Sequence, residues 1–433
     1  MKPLPVALVG AFLWTLSMSA QRPDASPRQG RVRLEGRAAA DAGGPFNPLG
    51  ATLFWGAWGY KYDRARLERN LAVLSDAGVD YVRVLGSVGG SSWNDRQTDP
   101  RWDDYDAVIA GLTDLAYDKY GMRVQWTIFG GAPFTPPGGA RRALVNRFVK
   151  LARGREHKIF AFEIANEASN NGFEGRTGVA ELRRLGKQLS DRTTVLVALT
   201  APPRRSACEV YAGAAADVMT VHYDRAFDTE GPIRPVLQPW SFPASYHSEC
   251  RGQLPRGVFN NEPIGPESSV RQDDDPSRLA AAFVMTFLAG NASYVFHAGP
   301  GIRGGGEADR SGPIPRHANF DELPHFGSIA AALGAARKYL PPGLANWHRL
   351  GPGDSKAPVH GFQGTYTASH GSEFVALVAG IDRRATVRMR VAASVEVRKA
   401  STGELAKEFR ASPGEKVALD GDESLILIGR VRE

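Results

Sequence analysis

Between residues 51 and 340 the chain repeats one pattern, a short apolar run followed by a stretch in which apolar residues recur every three or four positions. Such alternation predicts successive strand and helix units. Eight runs read as strands: ATLFWGAW (51–58), YVRVLG (81–86), RVQWTIFG (123–130), IFAFEIANE (159–167), TVLVALT (194–200), VMTVHYD (218–224), GVFNNEP (257–263) and ASYVFHAG (292–299). After the first run, Asp63 stands where a helix is capped, Leu67, Leu71 and Leu74 form one stripe, and Gly78 stops it. The same logic predicts helices near 103–119, 141–153, 178–190, 277–289 and 326–339, while the fifth and sixth intervals are less regular. Eight such units over residues 51–341 predict the α/β class and a (β/α)8 TIM barrel.

Beyond residue 344 the period falls to two. Val387, Met389 and Val391 alternate with Arg388 and Arg390, and Phe374–Val378, Val395–Lys399 and Leu425–Ile428 read as further strands. A small β-sandwich over 345–433 follows, expected to cover one side of the barrel. Residues 21–50 read as a polar leader and a hairpin that either plugs the barrel floor or joins the sandwich. Ahead of them, Lys2, the apolar stretch Leu4 to Leu16 and the small residues Ser17, Ser19 and Ala20 have the order of a secretory signal over 1–20. The expected destination is secreted or periplasmic. No later apolar run of 18 residues occurs, so no integral membrane association is expected.

Composition narrows the function classes. Apolar residues at 42% and charged residues at 23% of 433 are those of a globular chain. The net charge of +7 is spread along the sequence, so no nucleic-acid partner is expected. Neither H-E-x-x-H nor a G-x-S-x-G elbow is present, and no cofactor or metal is expected. The glycine-rich segment 297–313 lacks a Walker pattern and reads as a loop over the site with no helix directly after its strand. Export would let Cys208 and Cys250 pair; two free thiols buried as small core residues are the other reading.

In a barrel of this kind chemistry sits at the C-terminal strand ends. Glu167 ends the fourth predicted strand and Glu262 the seventh, across the barrel mouth from each other. Opposed carboxylates are what glycoside cleavage requires, one to protonate the leaving oxygen and one to attack or to activate water. With Asn166 preceding Glu167 and Arg83 ending the second strand, the pattern resembles clan A of the glycoside hydrolases and the cellulase family, glycoside hydrolase family 5. The resemblance implies Glu167 as acid/base, Glu262 as nucleophile, Asn166 as a contact to the sugar 2-hydroxyl and Arg83 as support for the nucleophile. It also implies that His222 and Tyr223 line the site, although family 5 places one residue between such a pair. Where the family has Asn-Glu-Pro on the fourth strand, this chain has Asn166-Glu167-Ala168; Asn261-Glu262-Pro263 carries that string on the seventh. The clan's strand-eight tryptophan is replaced by Phe296 and His297.

Sugar rings stack on aromatic faces, which makes Trp55, Trp58, Trp93, Trp126 and Trp240 candidates. Trp58 and Trp93, in glycine-rich segments at the catalytic end, are the expected substrate contacts; Trp126 is expected in the core. Glu163 shares strand parity with Glu167 and is expected to be a buried structural carboxylate. The expected activity is a retaining glycoside hydrolase acting on a poly- or oligosaccharide. A catalytically silent carbohydrate-binding barrel and a transglycosylase using the same residues are the alternatives. Arg83→Lys is expected to cost activity more than stability.

Overall fold

The computed structural model describes residues 29–432 apart from 91–92, 94–95, 132–133, 201–206, 224–230, 232, 251–252, 269–271, 304–316, 362–364 and 382. The signal over 1–20, most of the leader and much of the glycine-rich segment lie outside the described residues. Eight parallel strands close into a barrel in chain order. They are Leu49–Thr52, Tyr81–Leu85, Arg123–Phe129, Ile159–Ala165, Val197–Thr200, Val218–Val221, Gly257–Asn260 and Ser293–Phe296.

The outer helices form where apolar spacing predicts them: Arg64–Asp76, Tyr105–Asp118, Gly139–Ala152, Gly175–Ser190, Pro276–Leu288 and Phe326–Tyr339. In the first of these, Asp63 accepts a hydrogen bond from the Arg66 backbone N–H. Leu67, Leu71 and Leu74 are fully buried, and Gly78 adopts φ 79° just past the helix end. The fifth and sixth intervals hold a short helix, Ala207–Tyr211, and the longer Arg234–Glu249. Pro235, Pro239 and Pro243 hide the latter from a sequence reading, since proline removes a backbone donor from a helix interior.

Two expectations are corrected. The first strand ends at Thr52, and the aromatic run that follows turns into helix Gly56–Tyr62, because Trp55, Trp58 and Tyr62 recur at helical rather than strand spacing. A single helical turn, Gly299–Arg303, does follow the eighth strand closely.

Strands Arg33–Glu35, Ala38–Asp41 and Gly44–Phe46 form an antiparallel sheet. Val32, Ala39 and Phe46 pack with Tyr81, Phe160, Val218, Phe259 and Val295 of the barrel interior, so this segment plugs the floor. Asn346 ties the plug to the chain after the last outer helix: its Oδ1 accepts from the backbone N–H of Arg37 at 2.7 Å and its Nδ2 donates to Glu35 O at 2.8 Å. The C-terminal region forms a six-stranded and a three-stranded antiparallel sheet. Val387 and Met389 are buried between the sheets while Arg388 faces solvent, as the two-residue period requires. Val375, Leu377 and Ile426 on the larger sheet join the barrel's core cluster, which contains helix Pro276–Leu288. That helix is buried on every face, the expected result of lying between two packed layers. A disulfide joins Cys208 to Cys250, linking the helices of the fifth and sixth intervals.

Candidate active site

The barrel interior above the floor is polar. Arg83, from the second strand, is fully buried and makes four hydrogen bonds to three oxygens. Its Nε and Nη2 bond Glu163 Oε2 at 3.0 and 2.8 Å, its Nη1 bonds Glu262 Oε1 at 2.8 Å, and its Nη2 bonds Asn166 Oδ1 at 2.7 Å. A planar guanidinium can hold three groups at fixed angles, which an ammonium cannot. Beneath it the Phe54 ring lies 5.1 Å from Cζ.

Glu163 is the buried structural carboxylate expected from its parity. Oε1 accepts from Thr200 at 2.5 Å and Thr220 at 2.6 Å, and Oε2 accepts from Thr127 at 2.5 Å. Burial pushes its carboxyl up, but Arg83 and the three hydroxyls outweigh this and hold it below the usual carboxylate range. Strands two to six thereby share one ionised anchor.

Glu167 follows the fourth strand with φ 39°, a left-handed conformation that is strained for a residue with a Cβ. The turn brings its side chain over the barrel mouth, where it keeps 35% of its surface exposed. Oε2 accepts from Asn170 at 3.0 Å, and Oε1 lies 3.2 Å from His222 Nδ1. The His222 bond holds the Glu167 carboxyl below its ordinary range, against burial and the neighbouring charge of Glu262, which both push it up. Glu262, after the seventh strand, is 4% exposed. Its Oε2 lies 3.4 Å from His222 Nδ1 and 3.9 Å from His297 Nε2. One oxygen of Glu167, one of Glu262 and a His222 nitrogen all fall within 4.8 Å of one another. A divalent ion would tolerate that spacing, but the Arg83 guanidinium already neutralises Glu262 from the other side, so the donor set is that of an acid–base pair.

The structure brings Arg83, Asn166, Glu167, His222 and Glu262 together. Asn166 accepts from Arg83 through its Oδ1, so its Nδ2 is the end of the amide able to donate. Tyr223 is not among them: its hydroxyl donates to Asn291 Oδ1 at 2.7 Å, in the turn leading into the eighth strand, and only 3% of it is exposed. Adjacent residues of an extended chain face opposite sides, so His222 pointing inward sends Tyr223 outward. Trp93 is half-buried 6.5 Å from the Phe54 ring, on the rim of the site. Trp58 instead packs in helix Gly56–Tyr62 with Trp55 and Tyr62, its ring partners at 6.5 and 6.0 Å. Trp126 is core, its Nε1 donating to Thr113, and Trp240 packs on Tyr366 of the C-terminal sheet.

Sequence reasoning missed Phe54, Asn170 and the place of His297. His297 is fully buried, with Nδ1 2.9 Å from Thr52 Oγ1. Strand parity could have found Phe54, two residues beyond Thr52, and His297; nothing local marks Asn170.

No protein-family profile matches the sequence, and no curated protein is similar to it in sequence. In structure the chain is similar to a glycoside hydrolase family 5 protein from Bacteroides vulgatus, with a TM-score of 0.63 at 14% identity over 93% of this chain and 94% of that one. It is also similar to a family 39 glycoside hydrolase from Bacteroides cellulosilyticus, with a TM-score of 0.53 at 11% identity over 90% and 81%. Alpha-galactosidase I from Mortierella vinacea gives 0.51 at 12% identity over 89% and 96%. At these identities the likeness is one of fold, and the barrel expected from the sequence is the barrel these proteins share.

Proposed function

We propose that this chain is a secreted retaining glycoside hydrolase that cleaves a poly- or oligosaccharide by double displacement. The observation that carries the reading is the pair of glutamates on opposed strand ends with carboxylate oxygens within 4.8 Å. Retaining enzymes hold their carboxyl groups about 5–5.5 Å apart, whereas inverting ones leave about 6.5–9.5 Å for a water.

Glu262 is the nucleophile. It is buried and held by Arg83, which keeps it ionised and aimed. Its carboxylate bonds to the anomeric carbon as the glycosidic C–O bond breaks. Glu167, which reaches solvent at the mouth, gives its proton to the departing oxygen. A water then attacks the anomeric carbon, losing a proton to Glu167, and the ester bond to Glu262 breaks. Asn166 Nδ2 donates to a hydroxyl of the bound sugar, and Trp93 lines the rim as a stacking surface. Fold likeness to glycoside hydrolases supports the reading without fixing the sugar, which the loops select. The signal-like residues 1–20 and the Cys208–Cys250 bond support export.

The test is a screen of the exported protein on polysaccharides and aryl glycosides, followed by proton NMR of the first-formed product. Retained configuration is expected; an inverted product, or no cleavage across the panel, contradicts the proposal.

A further inference from the structure

Among the described residues, one oxygen of each of the two carboxylates accepts from a separate side chain. Arg83 holds Glu262 Oε1 and Asn170 holds Glu167 Oε2. The two remaining oxygens face the same atom, His222 Nδ1, at 3.2 and 3.4 Å. The other ring nitrogen, Nε2, is buried and has no hydrogen-bond partner. This fixes the tautomer. A proton on Nε2 would be buried without an acceptor and would turn the Nδ1 lone pair toward two carboxylates, while an imidazolium would still leave the Nε2 hydrogen unmet.

We propose that His222 is a positioning residue whose single Nδ1–H serves both glutamates in turn, bonding whichever is ionised. This rests on the reading of Glu262 as nucleophile and Glu167 as acid/base. Before attack Glu262 carries the charge and takes the hydrogen bond. When Glu262 has become an ester and Glu167 has given up its proton, the same N–H turns to Glu167. On hydrolysis it returns. His222 transfers no proton, so the proton balance is that of Glu167 and water alone. Among the described residues, the charged and titratable groups around it are Glu167 and Glu262, with Arg83, Glu163 and His297 behind Glu262.

Three measurements on the full chain test this. Nitrogen-15 NMR of the histidines should show His222 protonated on Nδ1 and bare on Nε2; the reverse tautomer overturns the proposal. Carbon-13 NMR titration of the glutamate carboxyls should show both Glu167 and Glu262 titrating at higher pH in His222→Leu than in the parent. His222→Asn, which places an amide N–H where Nδ1 stood, should restore both. Movement of one carboxyl only, or of neither, overturns the sharing. With substrate, His222→Leu should lower kcat/KM roughly 100-fold, the scale of a misplaced catalytic group, with both limbs of the pH profile moved upward. If His222→Leu does not fold, the tautomer and the Asn variant decide. The NMR measurements need no turnover, so a parent protein without glycosidase activity sinks the functional reading while leaving the His222 question answered.

Discussion

Arg83 concentrates the residue-scale chemistry, because one guanidinium joins the structural anchor Glu163 to Glu262, the proposed nucleophile, and to Asn166. Arg83→Lys keeps the charge but cannot span three groups. The expectation that it costs activity more than stability is therefore revised: kcat/KM should fall roughly 100-fold and unfolding free energy by up to about 3 kcal/mol, read by urea titration beside kinetics. Full activity with unchanged stability would reduce Arg83 to a wall residue. The sign of the pH dependence follows from Glu167. As the proposed acid it must be protonated to act, and its carboxyl is held below the usual range by His222. Activity is then lost as pH rises through that lowered value, so kcat/KM of the free enzyme should be highest at acidic pH. A profile flat from pH 5 to pH 8 would contradict this.

At the scale of elements, legibility followed period. Continuous apolar runs marked the barrel strands because parallel strands are buried on both faces. Strand order then put Glu167 and Glu262 just past the fourth and seventh strands, where the structure has them. The first strand was overextended because LFWGAW is equally apolar in a strand or a helix, and the spacing of Trp55, Trp58 and Tyr62 decides only once the glycines pack against barrel side chains; a Cβ on Gly56 would meet Val84 at 3.2 Å. Tyr223 was misplaced by taking a family pair as a unit where strand parity already separates the two residues. Asn170 depends on the tight turn after Glu167, which no local property of the sequence marks, whereas Phe54 was open to strand parity and was passed over. The disulfide settles a choice that sequence left open. With its cysteines 42 positions apart, the chain-entropy model gives about 4 kcal/mol of stabilisation. Urea unfolding with and without reductant should differ by about that amount, and the unfolded unreduced protein should show no reactive thiols. Two thiols per chain would exclude the bond.

Across the whole molecule, the floor plug, barrel and C-terminal sheets are joined by shared burial rather than by linkers. Asn346 bonds the plug, and helix Pro276–Leu288 has no solvent face left once the six-stranded sheet covers it. Removing residues 345–433 would expose apolar side chains of that helix, so the barrel alone should aggregate and the intact chain should unfold in one calorimetric transition with matching van't Hoff and calorimetric enthalpies. Two separated transitions, or a folded monomeric barrel fragment, would show the sandwich to be independent.

The central claim is that Glu262 attacks the anomeric carbon while Glu167 moves the proton. Trapping the enzyme with the 2-deoxy-2-fluoro glycoside of its preferred sugar, carrying an activated leaving group, and mapping the adduct by peptide mass spectrometry tests this most directly. The account predicts one glycosyl group per chain, esterified to Glu262 and absent from Glu262→Gln. An adduct on Glu167, or turnover to an inverted product with no adduct, would contradict it.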